Sequence, residues 1–446
     1  MMFEFFGIVD IVSFIGWLLI FAAGAFLVYQ NNKSNPEFKY FYYHFYFKLL
    51  AGLGFALVYI LYYERHGDTV FYWQGAKKLN ELLYENPSAY FQELFSTPLR
   101  DNVPGYFHNV GSPPIWIYNE PNSWFVCKLA SFFSLFTLGS YLTLNLFFSV
   151  ISAWISWRFF RYMNNMLEIK TRYIAIACLF IPSVAFWCSG IIKDTVALSS
   201  ILVLIMNLFK LIRRDYKSLF RTVLVILISS YFLYSIRPFL LLACYLPIFI
   251  LVVFKLNNQK QFIIRSLTRL FGVGISVAAL VLYFRSDSAF GEFSANSVFE
   301  TAEIIQKDMM NNAGYTGKRY DLGITEFTPL NLLAVIPAAL NVSLFRPYIW
   351  EADNPFMLLN GIENFFILLL TLSLFRRRKN PIPLSTDLKN YILFSLIFVF
   401  ILGYFVGLTS GLFGTLVRFK APIMPFFLLF VFHRMTQNNL PQNTLQ

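Results

Sequence analysis

The sequence predicts an all-α, polytopic integral membrane protein, and three observations predict it. Hydrophobic residues make up 57% of the 446 and charged residues only 13%, against roughly 25% charged in soluble domains. Apolar runs of span length recur along the whole chain, leaving no stretch for a soluble domain of ordinary size. Lysines and arginines gather in alternate short loops between those runs, as membrane topology requires. The formal net charge of +12 therefore marks membrane surfaces and excludes a nucleic-acid partner from the reading.

The runs near 9–29, 45–63, 137–157, 173–187, 193–210, 220–235, 239–255, 268–285, 355–375, 390–408 and 420–434 predict about eleven crossings. The first is read as a retained helix, because neither a basic leader nor a small-residue cleavage site accompanies it. Five loops, from Lys33 to Lys389, hold twenty lysines and arginines against Glu37, Glu168, Asp215 and Asp387. They are assigned to the cytoplasm, which starts the chain outside and ends it inside, in a bacterial inner membrane. Residues 1–434 then form one transmembrane domain, and 435–446 a polar cytoplasmic tail.

The opposite face carries two long acid-rich loops, 64–122 and 286–327. Each contains a weakly amphipathic helix, near 74–85 and near 298–310. Leu79, Leu82 and Leu83 share one side of the first, beside Phe71, Tyr72 and Trp73. Such a helix either lies flat on the membrane surface or packs within its own loop. Trp73, Trp116 and Trp124 fit an interfacial aromatic belt, with sugar stacking as the alternative. Segments 123–136 and 328–345 are apolar but have no crossing left to them, so they are expected to be re-entrant or interfacial. Cys127, Cys178, Cys188 and Cys244 have no metal-ligand spacing and read as packing residues. No HExxH or GxSxG pattern occurs.

The chemistry is expected around Ile181–Asp194, IPSVAFWCSGIIKD. Pro182 and Gly190 break the helical register, and Ser189 is suited to cap a restarting helix. Lys193 and Asp194 then stand in its first turn. Charge within a membrane is expensive and persists where it lines a polar cavity; the competing reading is a snorkelling turn at the lipid surface. Asp68 follows Gly67 just beyond the second run. Arg237 lies in SIRPF, Arg346 and Glu351 in LFRPYIWE, and Arg418 and Lys420 in GTLVRFKAP. All fall on the acid-rich face. Taken singly, Asp68 and Glu351 read as solvated carboxylates and each arginine as a helix anchor. Together with Lys193, the cations suit an anionic lipid headgroup, a phosphate or diphosphate, in one outward pocket.

The runs PSVAFWCSGIIKD (182–194), SIRPFLLL (235–242), LFRPYIWE (344–351) and FGTLVRFKAPIMPF (413–426) resemble those of multispanning bacterial proteins in surface-polysaccharide gene sets. Those proteins are placed near the GT-C glycosyltransferases. Two features depart from the pattern: Cys188 replaces a small residue, and an extra run precedes the one leading to Asp68. The resemblance implies transfer from a polyprenyl-phosphate or diphosphate sugar to a glycan or lipid acceptor. It assigns Asp68 as general base and Lys193, Arg237, Arg346 and Arg418 to the lipid phosphate, with Asp194, Glu351 and Lys420 in support. A divalent metal is left open. The rival expectations are a Wzy-like O-antigen or exopolysaccharide polymerase and a transporter or flippase of lipid-linked glycans.

Overall fold

Proline opens many helices of this chain: Pro87, Pro121, Pro182, Pro329 and Pro355 each stand in a first turn. The computed structural model describes residues 5–96, 102–256, 295–312, 317–324, 327–375 and 385–438. Over them the chain is helical, and a single isolated bridge, Arg319 to Leu412, is the one β contact among the described residues. Among the described residues seven helices are long and apolar enough to cross a membrane, or eight if one bent pair counts as a span. The expected run 268–285 and the tail beyond 438 lie outside the described residues.

The chain divides into two compact units. The first comprises Met1–Tyr162, Cys178–Asn207 and Tyr216–Phe239; the second comprises Met163–Ala177, Leu208–Asp215 and Leu240–Gln446. In the first, α1 (Ile8–Asn31) and α2 (Phe38–Leu61) are long spans. The loop after them folds into α3 (Asp68–Glu85), α4 (Pro87–Phe95), α5 (Asn102–Tyr106), α6 (Ile115–Tyr118) and α7 (Pro121–Ser134). Next comes α8 (Tyr141–Met166), and the expected run 173–187 is two pieces, α9 (Thr171–Leu179), most of which is counted in the second unit, and α10 (Pro182–Trp187) in the first. Pro182 causes that break: Ile181 before it is extended, at φ −79° and ψ 116°, because a proline ring disfavours helical backbone in its predecessor. A second break follows α10, and the chain restarts as α11 (Lys193–Arg213), then α12 (Leu219–Ile236).

The amphipathic face of α3 does not lie open for a membrane surface. Val70, Trp73, Ala76, Leu79 and Leu82 are buried there, and α3 packs chiefly along α7. Trp73 and Trp124 are buried as well, so neither belongs to an aromatic belt nor stacks on a sugar; Trp116 stays half-exposed, edge-on to Phe71. The indole N–H of Trp124 donates to a fully buried carboxylate, Glu93, at 2.8 Å, and the Tyr118 hydroxyl donates to the same group at 3.3 Å. The Trp73 indole N–H donates instead to the Gly139 carbonyl at 2.7 Å, so both rings fill space in an apolar core while their N–H groups are satisfied. The four cysteines are free and buried.

The second unit contains α13 (Phe239–Leu256), whose apolar part falls short of a full crossing by length. It continues with α14 (Ala295–Asn311), α15 (Pro329–Ala334), α16 (Ile336–Phe345), the 3-10 turn Ile349–Glu351, α17 (Pro355–Leu372) and α18 (Thr386–Thr409). The last expected run, 420–434, is one arm of the bent pair: α19 (Phe413–Phe419) and α20 (Met424–Asn438) meet at 69°. The apolar segments 123–136 and 328–345 appear as the short helices α7, α15 and α16. Within this unit α16 packs along α18, and α18 against α20, where the Ser395 hydroxyl donates to the Phe426 carbonyl at 2.7 Å.

Candidate functional site

The first unit gathers charge around the start of α11. Asp68 is placed there by a tight return of the chain. After α2 ends, the amides of Tyr62 and Tyr63 both reach the Val58 carbonyl, and that of Arg65 reaches the Tyr59 carbonyl. Glu64 and Arg65 take left-handed backbone, at φ 48° and 68°. Gly67 then adopts φ 141° and ψ 160°, with its Cα against the Tyr59 ring. Only glycine holds that backbone without strain, and a Cβ would run into the ring. The return leaves Asp68, half-buried, as the first residue of α3, where the free amides of a helix start favour a carboxylate.

Lys193 and Asp194 open α11. Asp194 is fully buried and ion-paired with Arg237 Nη1 at 2.7 Å. Arg237 is the C-cap of α12, so this pair ties the start of one helix to the end of the next. Its attraction is large in a low-dielectric setting, and losing either partner strands the other, at about 3–5 kcal/mol. Lys193 keeps 19% of its side chain exposed, with Glu120 Oε2 at 3.5 Å. Glu120 is the N-cap of α7, takes a hydrogen bond from the Ser123 hydroxyl at 2.7 Å, and is 58% exposed. Arg237 and Asp68 are the other charges that act on the Lys193 ammonium. Asp68, Lys193, Asp194 and Arg237 come from three separated parts of the chain and are grouped in this unit. Glu120, one acid among several in the loop 64–122, joins them with no motif of its own.

Next to this group the chain is broken, and side chains from α2 and α8 hydrogen-bond the break. The Cys188 carbonyl accepts from Lys48 Nζ at 2.8 Å and from the Ser152 hydroxyl at 2.7 Å. The Ser189 carbonyl accepts from the Ser149 hydroxyl, and the Ile191 amide donates to Asn145 Oδ1 at 3.0 Å. Gly190 sits where Phe55 and Asn145 leave no room for a side chain. Ser189 does not cap α11. Its hydroxyl donates back to the Ala185 carbonyl and accepts from Lys48 at 3.0 Å, so it finishes α10 instead. The physical reason is that restart occurs four residues later, at Lys193, beyond the reach of a serine cap. Lys48 is 2% exposed and was passed over as part of an apolar run. A lysine inside a membrane span is itself a signal of a polar site.

The remaining candidates lie in the second unit. Arg346 Nε meets Glu351 Oε1 and Oε2 at 2.9 and 3.1 Å, and its Nη2 also bonds Oε1. The guanidinium lies over the Phe413 and Tyr320 rings, at 5.1 and 5.6 Å from their centroids. Lys420 is fully buried and donates to Asn364 Oδ1 at 2.6 Å and to the Arg346 carbonyl at 3.0 Å. Arg418 is half-buried in the last turn of α19. Glu351 and Lys420 thus fix the geometry around Arg346. Among the described residues no group of three or more His, Cys, Asp or Glu is disposed to hold a metal ion, and no step below uses one.

Chemically, the first unit's group sets Asp68, Glu120 and Asp194 against Lys193 and Arg237. Arg237 is committed to Asp194. Lys193 instead has Glu120, a solvent-exposed partner of the kind worth little, which an incoming anion can replace. The same ammonium is within electrostatic reach of Asp68, a carboxylate able to accept a proton.

Comparison with known protein families, curated proteins and solved structures finds no match. The fold and composition define an all-helical, polytopic membrane protein with a charged group at a broken span.

Proposed function

We propose that this chain is a membrane glycosyltransferase acting on a polyprenyl-phosphate-linked sugar at the outer face of a bacterial inner membrane, in surface glycan biosynthesis. It keeps the GT-C-like plan of about eleven crossings with the N-terminus outside and the C-terminus in the cytoplasm. The observation that carries this reading is the Lys193 ammonium at the start of α11, with the exposed Glu120 as its ion-pair partner and Asp68 within electrostatic reach. Asp68 takes the proton of the acceptor hydroxyl as it attacks the sugar carbon. Lys193 releases Glu120 and meets the phosphate as charge develops on the leaving oxygen. Arg237 and Asp194 hold Lys193's helix in place. Arg346 and Arg418 are further candidates for phosphate contact, with Glu351 and Lys420 supporting Arg346.

The test compares lipid-linked and surface glycans from a deletion strain complemented with wild type, Asp68→Asn or Lys193→Met. Loss of the mature glycan in both variants, with its lipid-linked precursor accumulating, is the expected result. Wild-type glycans from all three, or from the deletion strain itself, would refute the transferase.

A second reading has its own observation. A broken span whose carbonyls meet a buried lysine is also the construction of transporter sites, which favours a flippase for lipid-linked glycans. In that case Asp68→Asn leaves fully assembled lipid-linked glycan on the cytoplasmic side, rather than an incomplete one outside.

A further inference from the structure

We infer that Lys48 is a positioning residue, which holds the Lys193 cation in place by clamping the broken span next to it. This rests on Lys193 being the working cation of the proposed site. Lys48 is the eleventh of the 24 residues of α2, inside an apolar span, and is 2% exposed. An ammonium there is costly unless its donors are used. Its donors go to the Cys188 carbonyl and the Ser189 hydroxyl. Those groups end α10, which is only six residues long and leaves carbonyls that no following turn can satisfy. Lys48 brings a full positive charge to that partly negative helix end.

The clamp has two sides. α2 supplies Lys48; α8 supplies Ser149, Ser152 and Asn145. Between Cys188 and Lys193 the chain has little freedom of its own, because Ile191 and Ile192 are fully buried and Gly190 is wedged against Phe55. A displacement at Cys188 is therefore passed on to Lys193 rather than absorbed. Replacing Lys48 with methionine keeps the volume but leaves Ser152 as the donor to the Cys188 carbonyl. The break loosens, and Lys193 drifts from Glu120 and Asp68.

The experiment uses the full-length protein in detergent and an amine-acylating reagent, with mass spectrometry reading Lys193 against Lys77 and Lys78 of the same unit. Lys48→Met is expected to raise Lys193 acylation relative to those lysines by up to about tenfold, the scale of one lost charge-assisted hydrogen bond. Lys48→Arg is expected to restore most of the protection. Phe398→Ala, a core truncation in α18 of the second unit, serves as the control for general destabilisation and leaves the ratio unchanged. A ratio in folded Lys48→Met equal to that of wild type or of Phe398→Ala overturns the inference. If Lys48→Met does not fold, Ser152→Ala removes the other donor to the same carbonyl and must raise the ratio too; no rise there is equally fatal. The readout is independent of glycans. A shifted ratio with normal glycans in Lys193→Met refutes the transferase and keeps the clamp, whereas an unshifted ratio refutes the clamp whatever the glycans do.

Discussion

Gly67 and Asp68 show how much one pair of residues can decide. The glycine makes a backbone turn that other residues cannot follow, and the aspartate is delivered to the start of a helix by that turn. Gly67→Ala adds a Cβ against Tyr59 and forces a residue with a side chain into glycine-only backbone. It should cost about 2–4 kcal/mol, read as a lowered thermal midpoint in detergent; an unchanged midpoint would mean the return is built differently. The Gly-Asp pair was legible in the sequence as a turn just beyond an apolar run. Lys48 was legible only as a charge inside an apolar run, with no spacing to name its partners, and Glu120 looks like every other loop acid until the helix it caps is placed. Ser189 was misjudged for a related reason: its hydroxyl serves the helix behind it, and sequence order does not say which of two helices a serine will finish.

Elements show a different balance. The amphipathic pattern of Leu79 and Leu82 located the later part of α3, which starts at Asp68 rather than near 74, but periodicity does not name what covers a face. The answer is α7, whose Trp124 is held in turn by the Glu93 carboxylate of α4. Burial pushes the Glu93 carboxyl up from its ordinary value, against the hydrogen bonds of Trp124, Ser96 and Tyr118 and the ammonium of Lys128. A raised carboxyl means that the folded protein holds a proton which the unfolded chain releases at the ordinary value. Stability from this group is therefore gained as pH falls from neutral toward 4.5, the ordinary value, and lost as pH rises through the raised one. Glu93→Gln keeps an acceptor for Trp124 and cannot titrate. The midpoint of wild type minus that of Glu93→Gln should thus grow as pH falls across this window. A difference that is flat or shrinks would contradict the burial account. The two breaks flanking α10 were half legible: Pro182 announced one, while the other depends on partners from α2 and α8 that no local pattern reveals.

For the molecule as a whole, hydropathy was enough for the class and insufficient for the count. Runs long enough to cross were found in most of the expected places. The short helices α9, α10, α13 and α19 escaped a window reading because an apolar stretch looks the same whether it is straight, broken or bent. Hydropathy also does not record which distant segments meet. The charges did better, since an ion pair or a helix start gives a charged residue a reason to be where it is. Asp68, Lys193, Asp194 and Arg237 are together in one unit, with Glu120 added. The central claim is that Asp68 and Lys193 face one another in a site open to the outside of the cell. Its most direct test places cysteines at both positions, in a chain whose four native cysteines are replaced by serine or alanine. Intact cells are then treated with a short, membrane-impermeant thiol cross-linker. The account predicts an intramolecular cross-link between positions 68 and 193 without permeabilisation. Reaction of either cysteine only after the membrane is opened, or reaction of both with no cross-link between them, would contradict it.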